Sequence, residues 1–367
     1  MTAPKIRTAV ASLPGYKPGQ APTAGPDGRS WKLSSNEVHF DPLPGVLAAA
    51  EQALREMNRY PDMFATQLSE TVAAFWSDQG HPIGTDQLAF GTGSSAILYD
   101  LLRLVATAGD EVVYPWRSFE AYPIAVMASG ATPVPIPVRA DGRHDLAGML
   151  AAITERTRAV LVCTPNNPTG PALTATELRD FLDAIDPSVL LVLDEAYLEF
   201  ATDPDVGRGE DFLDRPNVVV MRTFSKAYGL AGLRVGGYAI STPEIAGSLR
   251  KIAVPFGGVP QVAQAAAIAS FAAVDELRQR VREVTIERDR LLAGLREIGW
   301  EVPPDSQANF VWLDTGARTA EVAAPFIADG LMVRAFTNGD PFDGIRISVA
   351  DAEATDRVLA IAAQVRR

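Results

Sequence analysis

At 367 residues, with 47% hydrophobic and 21% charged residues, the chain is long enough for two domains and has the composition of a globular enzyme. Its formal net charge of −12 argues against nucleic acid or an anionic membrane as partner, although a few local arginines can still bind a small anionic substrate. One cysteine, Cys163, permits no intramolecular disulfide, and the scattered His39, His81 and His144 form no metal-ligand spacing with it.

The first 45 residues are rich in Pro and Gly and lack periodicity, which predicts an extended arm. Helical patterns follow over 45–58, directly after Pro44, and over 67–77. From residue 87 short apolar runs alternate with helical or loop segments. The runs at 88–90, 111–114, 132–136, 159–163, 190–193, 218–221 and 237–240 read as seven strands, separated by 95–105, 119–128, 146–153 and 176–184. This alternation predicts an α/β fold with a mostly parallel sheet covered on both faces. The dense turn residues of 202–209 predict an exposed excursion.

A long amphipathic helix is expected over 275–298, with Leu277, Val281, Val284 and Leu291 on its apolar side and Gly299 as its stop. A strand at 310–313, a helix at 320–328, strands at 332–334 and 345–349 and a last helix make a smaller α+β domain. The expected division is an arm over 1–45 associated with the small domain, a large domain over 46–255 and the small domain over 256–367. The N-terminus has no signal-like apolar segment, and no apolar run approaches the roughly 18–20 residues a membrane span needs. With its lone Cys163, which reads as a small core side chain, the chain is expected in a reducing cytoplasm.

In such sheets ligands bind beyond the carboxyl ends of the strands, and chemistry-bearing residues follow nearly every apolar run. Lys226 comes shortly after the strand at 218–221, among small and apolar neighbours. A lysine held in a dry pocket has a depressed pKa and can form a Schiff base, whereas most lysines are simply exposed. The nearby Thr223, Ser225 and Arg234 suit a phosphate on whatever Lys226 holds, and an aldehyde that carries a phosphate is pyridoxal 5′-phosphate. Asp194 ends the strand at 190–193. A buried carboxylate needs a cationic partner, and a protonated pyridine nitrogen is one; a helix cap or turn is the other reading. Tyr197 could donate to the cofactor's phenolate oxygen. The turn Gly91-Thr92-Gly93-Ser94-Ser95 leads into a helix, whose N-terminus makes a phosphate seat; it matches neither Walker A nor G-x-G-x-x-G. Arg346 lies between apolar neighbours in a strand and needs an anionic partner, either a ligand or a structural carboxylate.

The string 222–234, Arg222-Thr223-Phe224-Ser225-Lys226-Ala227-Tyr228-Gly229-Leu230-Ala231-Gly232-Leu233-Arg234, resembles the cofactor-lysine segment of fold-type I aminotransferases, in particular the histidinol-phosphate aminotransferase family. The likeness runs from Tyr16 to about Val349. Within the family the chain is most similar to the actinobacterial aromatic amino acid aminotransferases, through Lys32-Leu33-Ser34-Ser35-Asn36-Glu37-Val38-His39-Phe40-Asp41-Pro42-Leu43-Pro44, the run 116–124, Val254-Pro255-Phe256, Gln264-Ala265-Ala266-Ala267-Ile268-Ala269-Ser270 and Ser306-Gln307-Ala308-Asn309-Phe310-Val311-Trp312.

The resemblance implies the aspartate aminotransferase-like fold, a pyridoxal-phosphate-dependent homodimer and ping-pong transamination, with Lys226 as the catalytic lysine, Asp194 on the ring nitrogen and Tyr197 beside it. It implies Asn167, in Thr164-Pro165-Asn166-Asn167-Pro168-Thr169-Gly170, at the phenolate oxygen, and an aromatic ring over the pyridine, Phe119 or alternatively Trp116. Arg346 would grip the substrate's carboxylate or phosphate, with Arg334 a second candidate. Tyr60 would reach the partner's cofactor phosphate, and Tyr16 would close over the substrate from the arm. Ser95-Ala96 stand where histidinol-phosphate enzymes usually carry an acidic pair, which favours the aromatic branch. Gly236-Gly237 carries an extra glycine, the loop 336–343 is longer than usual, and Ala350 stands where glycine is common. Rival expectations are a histidinol-phosphate aminotransferase, a decarboxylase of an amino-acid phosphate with the same cofactor, and a non-catalytic regulator of the same fold.

Overall fold

The computed structural model describes residues 8–11, 13, 15, 16, 19, 21, 23–254, 258–337 and 342–366. Part of the strings at 254–256 and 336–343, and the neighbours of Tyr16 at 14, 17 and 18, lie outside the described residues.

Seven strands form one sheet: β1 (Leu88–Gly91), β2 (Glu111–Trp116), β3 (Thr132–Pro137), β4 (Thr157–Cys163), β5 (Leu190–Asp194), β6 (Val218–Thr223) and β7 (Gly237–Ile240). Their order is β1-β7-β6-β5-β4-β2-β3, and β7 alone runs antiparallel to its neighbours. All seven runs read from the sequence are strands.

Both faces of the central strands β5 and β6 are dry, so their runs are apolar and their alternation sorts side chains between two cores, while the edge strand β3 is partly exposed. Leu191, Leu193, Val218 and Val220 face one core with Leu68, Val72 and Trp76 of the helix Thr66–Asp78. Leu190, Val192, Val219 and Met221 face the other, under the helices Ser94–Val105 and Ala121–Ser129.

The same parity places polar groups at the strand ends. Arg222 falls on the Val220 side, where its guanidinium lies 2.9 Å from Glu195 and 2.7 Å from Glu210, and 5.1 Å from the Trp76 ring. Asp194 and Thr223 fall on the other side.

A second, antiparallel sheet has the order β8-β10-β9, from β8 (Phe310–Asp314), β9 (Arg334–Phe336) and β10 (Gly344–Ser348). The strand expected at 332–334 begins two residues later, because Leu331 and Met332 pair instead with Trp31 of the arm. The helices Val274–Ile298, Thr319–Ala328 and Ala352–Val365 cover this sheet, and Leu33 joins its core. Gly299 ends the long helix at φ +96°, the left-handed stop the sequence predicted.

Three helices went unread, the first being the single turn Thr8–Ala11 within the arm. Pro243–Ile252 carries a Thr242 cap, while Gln261–Ala272 is so rich in alanine that it has no polar face to reveal its period. Among the described residues no helix is long and apolar enough to cross a membrane.

Removing Arg222 would strand Glu195 and Glu210 in the interior. Arg222→Met is expected to lower unfolding free energy by about 3–5 kcal/mol, measured by urea titration.

Candidate functional site

A cavity of about 350 Å³ opens where β1, β4, β5 and β6 end. Its polar wall comes from the strand-end side chains Asp194 and Thr223, with Ser225 and Lys226 in the loop beyond β6. A smaller chamber of about 90 Å³ shares Tyr16, Ser35, Phe119, Asn167, Tyr197 and Lys226 with it and adds Arg334, Arg346 and Glu120.

Lys226 lines both spaces and donates from Nζ to the Ser35 carbonyl at 3.0 Å. Burial lowers its pKa to about 8, and the positive charge of Arg346 adds to the effect. Its ammonium stands 5.7 Å from the centre of the Tyr197 ring.

Asp194 is the counterpart. One carboxylate oxygen accepts the Tyr122 hydroxyl at 3.0 Å, and the other is buried with no hydrogen-bond partner among the described residues. Burial raises its pKa to about 6, against the opposing effects of the Tyr122 bond, the Ala196 N–H and the charge of Lys226. Such an oxygen is free to accept a hydrogen bond from a group that enters the cavity.

Tyr197 is buried, and its hydroxyl oxygen accepts from the side-chain amides of Asn36 at 3.0 Å and Asn167 at 3.2 Å. With both lone pairs occupied, its own hydrogen is left to donate to a third group. Asn167 is bridged: its oxygen accepts from Arg346 at 2.6 Å while its nitrogen serves Tyr197. Arg346 also donates to the Ser34 carbonyl at 2.6 Å, and its Nε is buried without a partner among the described residues.

At the other end Ser94 and Ser95 open the helix Ser94–Val105, whose N-terminal N–H groups face an incoming anion. Gly93 precedes them at φ +122°, and a Cβ there would strike the Arg234 guanidinium. Arg234 lines the cavity and donates to the Thr92 and Ala231 carbonyls, each at 3.1 Å. Thr223 accepts the Ser225 N–H at 3.1 Å and donates to the Gly236 carbonyl at 3.1 Å. Gly236 has φ +79°, and a side chain there would collide with the Gly91 carbonyl, so this glycine is obligatory for closing the seat.

The structure thus brings Lys226, Asp194, Tyr197, Asn167, Phe119, Ser94, Ser95, Thr223, Ser225, Arg234, Tyr16, Arg334 and Arg346 to one pair of connected spaces. Phe119 lines both; Trp116, the alternative ring, lines neither and packs beside Arg117. Tyr60 is 79% exposed and lies outside the cavity. Sequence reading missed Tyr122, in the first turn of the helix that follows Phe119, and Asn36 and Ser35 in the arm, whose contacts nothing local signals. It also missed Glu120, which bonds Arg334 at 2.8 Å. Among the described residues no cluster fit to hold a metal ion is found.

Residues 30–364 match the family described as aminotransferase class I and II. The chain is 49% identical to an aromatic amino acid aminotransferase of Streptomyces avermitilis, over 100% of this chain and 99% of that one. It is similar in structure to a histidinol-phosphate aminotransferase from Sinorhizobium meliloti, solved with pyridoxal-5′-phosphate, with a TM-score of 0.86 and 31% identity over 99% of this chain and 98% of that one. An aspartate aminotransferase double mutant from Thermus thermophilus shares the fold, with a TM-score of 0.80 and 24% identity over 91% of each chain.

Only neutral Lys226 is nucleophilic. Capture of a small aldehyde by the protein, trapped with borohydride, is expected to rise about tenfold per pH unit and level off near pH 8, where an unshifted lysine keeps rising beyond pH 10. Arg346→Ala removes a neighbouring positive charge and moves that midpoint upward.

Proposed function

The chain belongs to the class I and II aminotransferases, and we propose on that premise that it moves the amino group between an aromatic L-amino acid and a 2-oxo acid such as 2-oxoglutarate, using pyridoxal 5′-phosphate. The observation that carries this is the meeting of a base-poised Lys226, a part-unsatisfied Asp194 and a buried Arg346 around connected cavities. The aromatic assignment is supported by the 49% identical relative, against 31% for the histidinol-phosphate neighbour.

The residues present fit the cofactor. The open oxygen of Asp194 suits a ring N–H⁺, the remaining hydrogen of Tyr197 and the second N–H of Asn167 suit its phenolate oxygen, and Phe119 suits a ring face. Ser94, Ser95, Thr223, Ser225 and Arg234 suit its phosphate. When bound, the cofactor supplies an aldehyde for the amino group and a ring that accepts the electron pair left at the donor's Cα.

Lys226 holds the cofactor, then takes the proton from the Cα of the donor and returns one to the Cα of the acceptor. Asp194, ionised opposite a positive ring, keeps that ring protonated. Arg346, with Arg334 and Tyr16, takes the substrate carboxylate and fixes which Cα–H bond faces Lys226.

We extend the proposal to a cytoplasmic homodimer. Leu54, Met57, Tyr60, Met63 and Phe64 expose an apolar stretch, as a subunit contact would, and Tyr60 would reach the partner's phosphate seat from it. The dimer is tested by sedimentation. Tyr60→Phe is expected to release the cofactor several-fold more readily on dialysis.

The central test is the absorbance spectrum of the purified holoenzyme. A yellow protein bleached by phenylalanine, with phenylpyruvate formed, is expected; bleaching by histidinol phosphate alone overturns the aromatic assignment. Lys226→Ala is expected to lose transamination by about three orders of magnitude or more while still binding the cofactor weakly.

A further inference from the structure

Two side chains of β10 act on the Tyr197 hydroxyl through intermediaries. Arg346 and Ser348 are two residues apart and so share one face of the strand. Arg346 donates to the side-chain oxygen of Asn167 at 2.6 Å, and the Asn167 nitrogen donates to the Tyr197 hydroxyl at 3.2 Å. Ser348 donates to the side-chain oxygen of Asn36 at 2.9 Å, and the Asn36 nitrogen donates to the same hydroxyl at 3.0 Å. The bonds form a circuit that starts and ends on β10.

The donor chemistry of this circuit decides which way each amide points. A guanidinium only donates, so Arg346 takes the Asn167 oxygen and turns the nitrogen toward Tyr197. Ser348 accepts the Asn36 backbone N–H at 2.8 Å, and among the described residues the Asn36 side-chain oxygen is the sole acceptor for its own hydrogen. A flipped Asn36 amide would strand that hydrogen in the interior, where Ser348 is only 2% exposed.

Asn36 is held there at a backbone cost. Its φ is +54°, in the left-handed region that Asn tolerates better than most residues. Its carbonyl accepts the Asn309 side chain at 3.1 Å, so its backbone N–H and C=O and both ends of its amide are all engaged.

Two fixed donors leave Tyr197 one direction for its hydrogen, and no acceptor for it lies among the described residues. The ring stands edge-on to Phe310, with centroids 5.0 Å apart, which holds it in place. Burial raises the pKa of the phenol, so the hydrogen is retained. A hydroxyl that accepts two bonds is polarised and donates the more strongly.

We propose that Asn36, locked by Ser348, is a positioning residue: it aims the Tyr197 hydrogen at the cofactor's phenolate oxygen and strengthens that bond. The proposal rests on the reading that Tyr197 donates to this oxygen. Such a bond stabilises negative charge there and lowers the pH at which the visible chromophore of the holoenzyme loses its proton.

The experiment titrates the absorbance of the holoenzyme with pH in wild type, Asn36→Gly, Ser348→Ala, Tyr197→Phe and the double variant Asn36→Gly/Tyr197→Phe. Glycine adopts the left-handed backbone without strain. The titratable and charged groups that face Tyr197 are Cys163 of β4, Asp194 of β5, Lys226 beyond β6 and Arg346 of β10, and every variant keeps them. Tyr197→Phe is expected to raise the chromophore's midpoint by about one pH unit, Asn36→Gly by about half a unit and Ser348→Ala by about 0.3 of a unit. In the Tyr197→Phe background Asn36→Gly is expected to add nothing, since the hydroxyl it serves is gone.

An Asn36 that only secures the arm would lower stability to urea and leave the midpoint in place, or move it equally in both backgrounds; either result overturns the proposal. Should Asn36→Gly fail to fold, Ser348→Ala carries the same test, and an unmoved midpoint there overturns it as well. If Tyr197→Phe itself moves nothing, the reading of Tyr197 falls and the proposal falls with it. If Tyr197→Phe moves the midpoint and Asn36→Gly does not, the role of Asn36 alone falls.

Discussion

A carboxylate taken out of water and left half-satisfied is the constraint around which this molecule is organised. Asp194 ends β5 inside the protein, with one oxygen on Tyr122 and the other open. In an interior of low polarizability that state persists only if a cationic donor arrives, or if the group stays partly protonated, as its pKa near 6 indicates. Lys226 shares the cavity but spends its hydrogen bond on the Ser35 carbonyl, so the two charges do not simply cancel in a direct ion pair. The cavity side of Asp194 is thereby left open to a donor, as the proposed role opposite a cofactor ring needs.

Strand parity makes this arrangement possible. Two consecutive acids, Asp194 and Glu195, end the same strand, and the pleat sends them to opposite faces. Glu195 meets Arg222 within a closed ionic cluster that also holds Glu210, while Asp194 meets the Tyr122 hydroxyl, the Ala196 N–H and the cavity. A one-residue slip of β5 would exchange the two, giving the structural cluster the reactive acid and the cavity the paired one. The parallel register of β5 with β4 and β6, Asp194 opposite Cys163 and Met221, holds against that exchange.

Much of this was legible in the sequence, for a physical reason. Strands buried on both faces are short and wholly apolar, so each of the seven stood out, and the residues just past them carried the chemistry. Lys226, Asp194 and Arg346 announce themselves as charges in apolar surroundings. What stayed hidden depends on partners far along the chain. Ser35 and Asn36 act through one carbonyl and one amide in an arm with no periodicity, and Glu120 has meaning only beside Arg334. The expected division at 255 and 256 also falls ahead of the helix Gln261–Ala272, whose Ala263, Ala266 and Ala267 pack into the core of the seven-stranded sheet.

The arm itself has a consequence for how the protein is made. Arg346 rests on the carbonyl of Ser34, and the Asn36 N–H rests on the hydroxyl of Ser348, pairs separated by 312 positions. On a ribosome the seven-stranded sheet can assemble once β7 has emerged, but the arm must wait for β10, which is among the last elements to leave the tunnel. Leu33, a core residue of the finished molecule, stays uncovered through that interval. The pocket around Arg346 is thus among the last parts of the protein to assemble, and the first residues of the chain wait for their cover until nearly all of it has been synthesised.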